Sequence, residues 1–346
     1  MNKNISIILL NLGGPDSPKS VKPFLFNLFY DPAIIRLPKI FRWLIAKIIS
    51  SKREKTAIEI YEKIGGSSPI LQNTIRQAIK LNEKLNNNIF QINYNIEIAM
   101  RYWYPRAKEI VLKLKKTNPE FIILLPLYPQ FSTTTTGSSV KELEKELEKN
   151  NLNIPIKKIC CYYDHPKFIE AHVKLIKKYL ENILTDHQQN DIRLLFSAHG
   201  LPERIIKEGD PYQWQVEESV KYIVSNLKIE NLDYQICYQS RVGPLKWIGP
   251  STEEEIKRAG KDKKVILLIP ITFVSEHSET LVELDMEYKD LAKESEVPNY
   301  YRVPTLSEDD LFIEALQEII FTVNEKNFIF PPERKCSAKY CGCINK

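Results

Sequence analysis

Aliphatic and β-branched runs recur along the chain with room for a helix between them. They lie at 5–12 (ISIILLNL), 92–102 (INYNIEIAMRY), 121–128 (FIILLPLY), 157–163 (KKICCYY), 192–198 (IRLLFSA), 234–240 (YQICYQS), 264–272 (KVILLIPIT) and 299–304 (NYYRVP). Several are apolar on both faces, the pattern of strands in a parallel sheet that helices cover on both sides. Stretches between them carry helical spacing, as in VKELEKELEKN (140–150). The expected fold class is α/β and doubly wound.

The order of these signals repeats. ISIILLNLGGP (5–15) and IRLLFSAHGLP (192–202) are each a strand followed by a Gly–Pro loop. FIILLPLYPQFSTTTTGSS (121–139) matches VILLIPITFVSEHSETL (265–281) as strand, proline and hydroxyl-rich turn into a helix. Two similar lobes, each a parallel sheet flanked by helices, are expected at 1–175 and 176–320, with 321–346 as a C-terminal extension. Ligands of such sheets sit beyond the carboxyl ends of the strands, where strand order reverses. Both polar turns fall at that position.

Composition narrows the partners. With 43% hydrophobic and 27% charged residues, the 346-residue chain is that of an ordinary soluble globular protein. Its net charge of +5 is spread over many Lys and Glu, with no basic arm, so nucleic acid is not an expected partner. The opening MNKNISIILLNLGG has too short an apolar run for a secretory signal, which implies a cytoplasmic chain whose six cysteines are mostly reduced. No run of about 18 apolar residues predicts a membrane span. Residues 24–50 (FLFNLFYDPAIIRLPKIFRWLIAKIIS) are apolar with interspersed Arg36, Lys39, Arg42 and Lys47. They read either as two core helices or as a basic, apolar lip for a membrane surface or a flat ligand.

Chemistry concentrates after two strands. His199 in FSAHGLPERI and Glu279 in SEHSETL each follow a buried run directly, so two strands can aim an imidazole and a carboxylate into one crevice. Such a pair can hold a divalent metal or pass protons near neutral pH. The bland alternatives are a structural cap for His199 and a helix start for Glu276, His277 and Glu279. Nucleotide cofactors are not expected, because NLGGPDSP lacks the three-glycine spacing and no phosphate loop occurs.

Seven segments, LLNLGGP (9–15), YEKIGGSSPI (61–70), AMRYWYP (99–105), YPQFSTTTTGSS (128–139), FSAHGLPERIIKEGDPY (196–212), CYQSRVGPLKWIGPST (237–252) and ITFVSEHSETLVELDMEY (271–288), resemble in order the motifs of the ferrochelatases. The resemblance runs from about residue 5 to 320. It implies a chelatase-like fold and a lyase that inserts Fe2+ into protoporphyrin IX to give protoheme, the terminal step of heme biosynthesis. It implies metal and proton roles for His199 and Glu279, with His277, backed by Glu276, as a further route for protons or metal. It also implies a porphyrin cleft walled by Leu12, Tyr61 and Trp247, with Arg53, Ser68 and Arg101 suited to propionates or the macrocycle edge. Residues 24–50 then become an apolar lip that could rest on the inner face of a membrane. Rival readings are insertion of cobalt or nickel into another tetrapyrrole, insertion of iron into coproporphyrin, and a tetrapyrrole carrier without turnover.

The chain ends KCSAKYCGCINK, placing Cys336, Cys341 and Cys343 within eight residues. In a reducing compartment this spacing suggests soft-metal ligation. Some ferrochelatases carry a [2Fe–2S] cluster on three C-terminal cysteines and one internal cysteine. The resemblance thus implies Cys336, Cys341 and Cys343 with an internal thiol from Cys160 or Cys161, strand alternation favouring Cys161. Zinc on the same thiolates, or an unliganded tail, remain alternatives.

Overall fold

All eight aliphatic runs form strands in the computed structural model, which describes residues 3–87, 92–241, 245–326 and 329–345. In chain order the elements are β1 (Lys3–Asn11), α1 (Val21–Phe29), α2 (Lys39–Glu62), α3 (Ile70–Asn86), β2 (Ile92–Met100), α4 (Ala107–Thr117), β3 (Phe121–Pro126), α5 (Thr136–Lys149) and β4 (Ile156–Ile159). They continue with α6 (Pro166–Ile183), β5 (Ile192–His199), α7 (Glu203–Lys207), α8 (Tyr212–Leu227), β6 (Tyr234–Gln239), α9 (Thr252–Lys261) and β7 (Val265–Pro270). A π-helix (Glu279–Glu287) runs into α10 (Tyr288–Glu294), followed by β8 (Tyr300–Arg302), α11 (Asp310–Lys326) and β9 (Ile329–Phe330). Residues 242–244 of the motif 237–252 lie outside the described residues.

Two units share the chain. The first comprises Met1–Cys161, Leu316–Lys335 and Cys343–Lys346; the second comprises Tyr162–Ala315 and Cys336–Gly342. Among the described residues the first has a five-stranded parallel sheet in the order β2-β1-β3-β4-β9 and the second a four-stranded parallel sheet in the order β6-β5-β7-β8. Apart from β9 the two orders are the same walk: the first strand in the centre, the second on one side, the third and fourth on the other. The repeat read from the sequence is therefore a repeat of topology.

Burial explains why these runs became strands. Every side chain of β3 and of β7 is buried, so each reads as an unbroken apolar run. A buried Leu or Ile stabilises by roughly 1.5–3 kcal/mol relative to exposure. In the first unit Ile8, Leu10, Ile122 and Leu124 pack against Ala107, Ile110 and Val111 of α4 and Val140, Leu143 and Leu147 of α5. In the second, Leu195, Ile266 and Leu268 pack against Ile256 and Ala259 of α9, Leu284 of the π-helix and Tyr288 and Ala292 of α10. The start of α9 is set by a reciprocal cap, in which Ser251 Oγ accepts from the Glu254 amide while Glu254 accepts from the Ser251 amide.

Helix α2 departs from this pattern. Ala46, Ser50 and Tyr61 are its buried residues, whereas Ile40 is 80% and Phe41 62% exposed and Trp43, Leu44 and Ile48 are also open. Two of its cations lie on rings of α2 itself or of α1: Lys47 over Trp43 and Arg53 over Phe29. Of the two readings of 24–50, the outer half is the apolar surface and not a core helix. Among the described residues no helix is long and apolar enough to cross a membrane.

Candidate functional site

In sheets of this order the switch point lies between the central strand and the third strand of the walk. For the second unit these are β5 and β7, paired from Ile192↔Val265 to Ser197↔Pro270. His199 is the last residue of β5, and the chain leaving β7 passes through Ser275 and His277 to Glu279 at the head of the π-helix. The two groups expected to converge do so: His199 Nδ1 and Glu279 Oε2 are 2.8 Å apart.

The backbone around His199 is held on both sides. Its amide donates to Thr272 Oγ1 at 3.4 Å and its carbonyl accepts from the Tyr212 hydroxyl at 2.9 Å. Gly200 follows because a Cβ there would stand 2.8 Å from the Gln239 carbonyl oxygen and 3.4 Å from the Trp247 ring. Trp247 thus packs on the residue next to His199. His277 is buried; its Nδ1–H donates to the Ser275 carbonyl at 3.0 Å, and its Nε2 lies 3.9 Å from Glu279 Oε1. Glu276 faces a different partner, accepting from Arg302 at 2.6 Å and from the Thr305 amide at 2.9 Å, and so anchors the loop.

Electrostatics ties the pair together. Burial pulls the His199 imidazole down, but the Glu279 charge and hydrogen bond, with Glu283 beyond, raise it above its ordinary value. Burial pushes Glu279 up, and His199 overcomes this to hold it well below the usual carboxylate range, at about 2. With Nδ1 committed to Glu279, the Nε2 lone pair of a neutral His199 is the group able to take a proton.

Behind Glu279 lies a carboxylate that the sequence reading did not single out. The π-helix stacks Glu279 and Glu283 on one side, and Ser240 at the end of β6 inserts its hydroxyl between them, 3.2 Å from Glu279 Oε2 and 2.6 Å from Glu283 Oε2. Burial and the Glu279 charge raise Glu283. The spacing E-x3-E-x3-E at 279, 283 and 287 was visible in the sequence. An α-helix would carry the same spacing on an ordinary solvated face, so it did not stand out.

The first unit gathers other candidates. Leu12 packs on a cluster of Val21, Phe24, Leu25, Tyr61 and Tyr102, in which Tyr61 is buried. Ser68 sits across from Gly14, where any Cβ would collide with it, and its amide donates to the Pro15 carbonyl at 2.7 Å. Arg53 is exposed. Arg101 is in a different setting: its guanidinium bonds Asp31 at 2.9 Å, Glu142 at 3.2 Å and Ser138 Oγ at 2.8 Å. A cation already met by two carboxylates offers little to an incoming propionate.

Among the cysteines, Cys160 and Cys343 bring their thiols to 3.3 Å, and both are buried. Of the two internal candidates, Cys160 makes this approach to Cys343, and Cys161 is buried beside it. Cys336 accepts from Gln215 Nε2 at 3.2 Å, and Cys341 lies against Gly209. Among the described residues no group of three or more His, Cys, Asp or Glu is placed to hold a metal ion.

Comparison with known proteins adds to this geometry. Residues 4–323 match a family model described as Ferrochelatase. A protein named Ferrochelatase from Pelagibacter ubique is 51% identical over 345 residues, which is 98% of each chain. Another of that name from Rickettsia felis is 55% identical over 351 residues, covering 100% of this chain and 99% of its own. Among solved structures, the sirohydrochlorin chelatase SirB of Bacillus subtilis subspecies spizizenii in complex with cobalt superposes with a TM-score of 0.52 at 12% identity, over 93% of this chain and 95% of that one. That last likeness is one of fold.

Proposed function

The chain belongs to the ferrochelatase family, metal chelatases that insert a metal into porphyrin for heme synthesis, and from that premise we propose that it inserts Fe2+ into protoporphyrin IX to give protoheme. The observation that carries the site is the 2.8 Å contact of His199 with Glu279 at the β5/β7 switch point. Insertion replaces two pyrrole N–H bonds by iron–nitrogen bonds, so two protons must leave for each iron that enters. The Nε2 lone pair of His199 accepts a pyrrole proton, and Glu279 stabilises the imidazolium that results. The same carboxylate, with His277 beside it, supplies the negative field that draws the divalent iron toward the nitrogens.

Recognition divides among the remaining candidates. Leu12, Tyr61 and Trp247 supply apolar and aromatic walls for the macrocycle, and Arg53 and Ser68 meet its carboxylates. Arg101, bound to Asp31 and Glu142, serves as a brace for the loop beside them. The exposed apolar residues of α2 form a peripheral contact with the inner face of a membrane, from which a poorly soluble porphyrin can be taken. Sedimentation with anionic vesicles tests this contact, which Phe41→Glu should weaken.

A [2Fe–2S] cluster at the tail is part of the reading. Two thiolates on one tetrahedral ion at about 2.3 Å lie about 3.8 Å apart. The Cys160–Cys343 pair need open only slightly to meet that demand and would supply two ligands, with Cys336 and Cys341 as the sequence's other candidates. The neighbouring Cys161 thiol and burial hold Cys160 well above an ordinary thiol against the pull of Cys343, and a bound cation would favour its thiolate. Anaerobic purification with visible spectra and iron and sulfide analysis tests the cluster; a colourless protein containing zinc would overturn it.

The function itself is tested by following porphyrin absorbance with Fe2+, Co2+ and Ni2+ and with protoporphyrin and coproporphyrin in turn. His199→Ala should bind protoporphyrin normally and lose insertion by roughly 10^3-fold. Near-normal turnover in that variant would remove His199 from the reaction.

A further inference from the structure

The hydrogen bonds that begin at His199 do not stop at Glu283. The Tyr288 hydroxyl lies 3.0 Å from Glu283 Oε1 and 3.2 Å from Glu253 Oε1. Tyr288 is buried, whereas Glu253, in the first turn of α9, is partly open to solvent. Together with the Ser240 contacts, an unbroken file of oxygens runs from Glu279 through Ser240, Glu283 and Tyr288 to Glu253. We propose that this file carries the protons displaced from the tetrapyrrole to solvent, with the Tyr288 hydroxyl and Glu253 as its outlet. The proposal rests on the reading of His199 as the proton acceptor.

Counting hydrogens supports a conducting file over a static brace. Four oxygen–oxygen contacts make up the file, and its two hydroxyls supply one hydrogen each. Burial and the Glu279 charge raise Glu283, and the Ser240 and Gln239 amides donate to its oxygens at 2.9 and 3.1 Å. Two contacts are left for protons in transit.

The backbone also bends to make the connection. Ser240 has φ +61, the left-handed region that favours glycine over a residue with a side chain. Its amide donates to Glu283 Oε1 at 2.9 Å, and this conformation aims the hydroxyl between the two carboxylates.

Each transfer balances. A pyrrole N–H bond breaks as its proton joins His199 Nε2, and the imidazolium gives up its Nδ1 proton to Glu279. Each hydroxyl then accepts a hydrogen from one side while releasing its own to the other, until Glu253 hands a proton to water. Two such passages accompany each iron; between them the neutral ring, whose side chain is 39% exposed, gives its Nε2 hydrogen to solvent water and regains one at Nδ1.

The test compares Tyr288→Phe and Glu253→Gln with the unaltered protein and with His199→Ala, each checked for a cooperative melt. Tyr288→Phe should lower kcat about tenfold or more at unchanged KM for porphyrin and iron, and the solvent deuterium effect on kcat should grow. Glu253→Gln should lower kcat less, and rising imidazole buffer should restore it, because a small base can replace a surface proton acceptor but cannot repair a packing fault. Unaltered kcat in both variants, or a loss in Glu253→Gln that buffer leaves untouched, overturns the outlet. Wild-type insertion by His199→Ala overturns the underlying reading instead, whatever the other two variants do.

Discussion

The β1/β3 switch point of the first unit and the β5/β7 switch point of the second arise from the same strand order but gather different chemistry. At the first, Asp31 accepts from Tyr102 at 2.7 Å, from Arg101 at 2.9 Å and from Ser138, and Arg101 is shared with Glu142, which also bonds Arg106. Its cations are guanidiniums, charged at every working pH. At the second, Glu279 and Glu283 meet the His199 and His277 imidazoles, the Ser240 and Tyr288 hydroxyls and the amides of Ser240 and Gln239. Its charge depends on where the protons are. A cluster of permanent ions holds a loop in shape, while a cluster balanced by an imidazole can pass protons.

The largest effect expected from breaking this contrast is at Asp31. Asp31→Ala leaves a buried guanidinium short of a partner and should destabilise the protein by about 3 kcal/mol, the lower end for a broken buried pair because Glu142 remains. Chemical denaturation would measure it, and kcat of the folded fraction should change little. An equally large loss of kcat would mean that the two regions do not divide the labour as described.

Next in size is Glu279→Gln, which should lower kcat about 100-fold, or roughly 2.7 kcal/mol in the barrier, with little change in stability. The same variant has a pH signature. In the unaltered protein the acid limb of kcat/KM should lie above the ordinary imidazole value of about 6.5, because His199 must be neutral to accept a proton and Glu279 raises it. In Glu279→Gln burial acts with less opposition, and the limb should move to lower pH.

The sign for stability is the reverse of that for activity. What the pair contributes through His199 is complete below the unfolded imidazole value of about 6.5 and is lost as pH rises through the raised folded one. What it contributes through Glu279 is present above the unfolded carboxyl value and is lost as pH falls toward about 2. Stability and turnover should therefore trade against each other near neutrality in the protein, and that trade should vanish in Glu279→Gln.

The smallest effect sharpens the first unit's part. Ser68→Ala removes one neutral hydroxyl, so KM for porphyrin should rise roughly threefold to tenfold at constant kcat. A fall in kcat at constant KM would place Ser68 in the chemical step.

Much of the fold was legible because the strands are buried on both faces and read as long aliphatic runs. The two-residue β9 was not, since Ile329–Phe330 is followed directly by Pro331 and Pro332 and is too short to show a period. His199 and Glu279 were legible because each directly follows such a run. Ser240 was missed although it closes one, because a serine at a strand end is commonplace until β6 is known to lie beside β5. Glu283, Tyr288 and Glu253 were missed for a related reason. The first two sit within five residues of each other yet meet Ser240 and Glu253 from elements 43 and 35 positions away.

The sequence by itself determined the strand runs, their duplication and the two side chains that leave the central strand and its neighbour, because each depends on local apolar pattern and on what immediately follows it. Tertiary structure decided which cation is exposed and which is braced, that the Cys160 thiol approaches Cys343, and which oxygens continue beyond Glu279. Those outcomes depend on distances of about 3 Å between segments far apart in the chain. Hydrogen bonds act only at that range, and no periodicity along one segment encodes it.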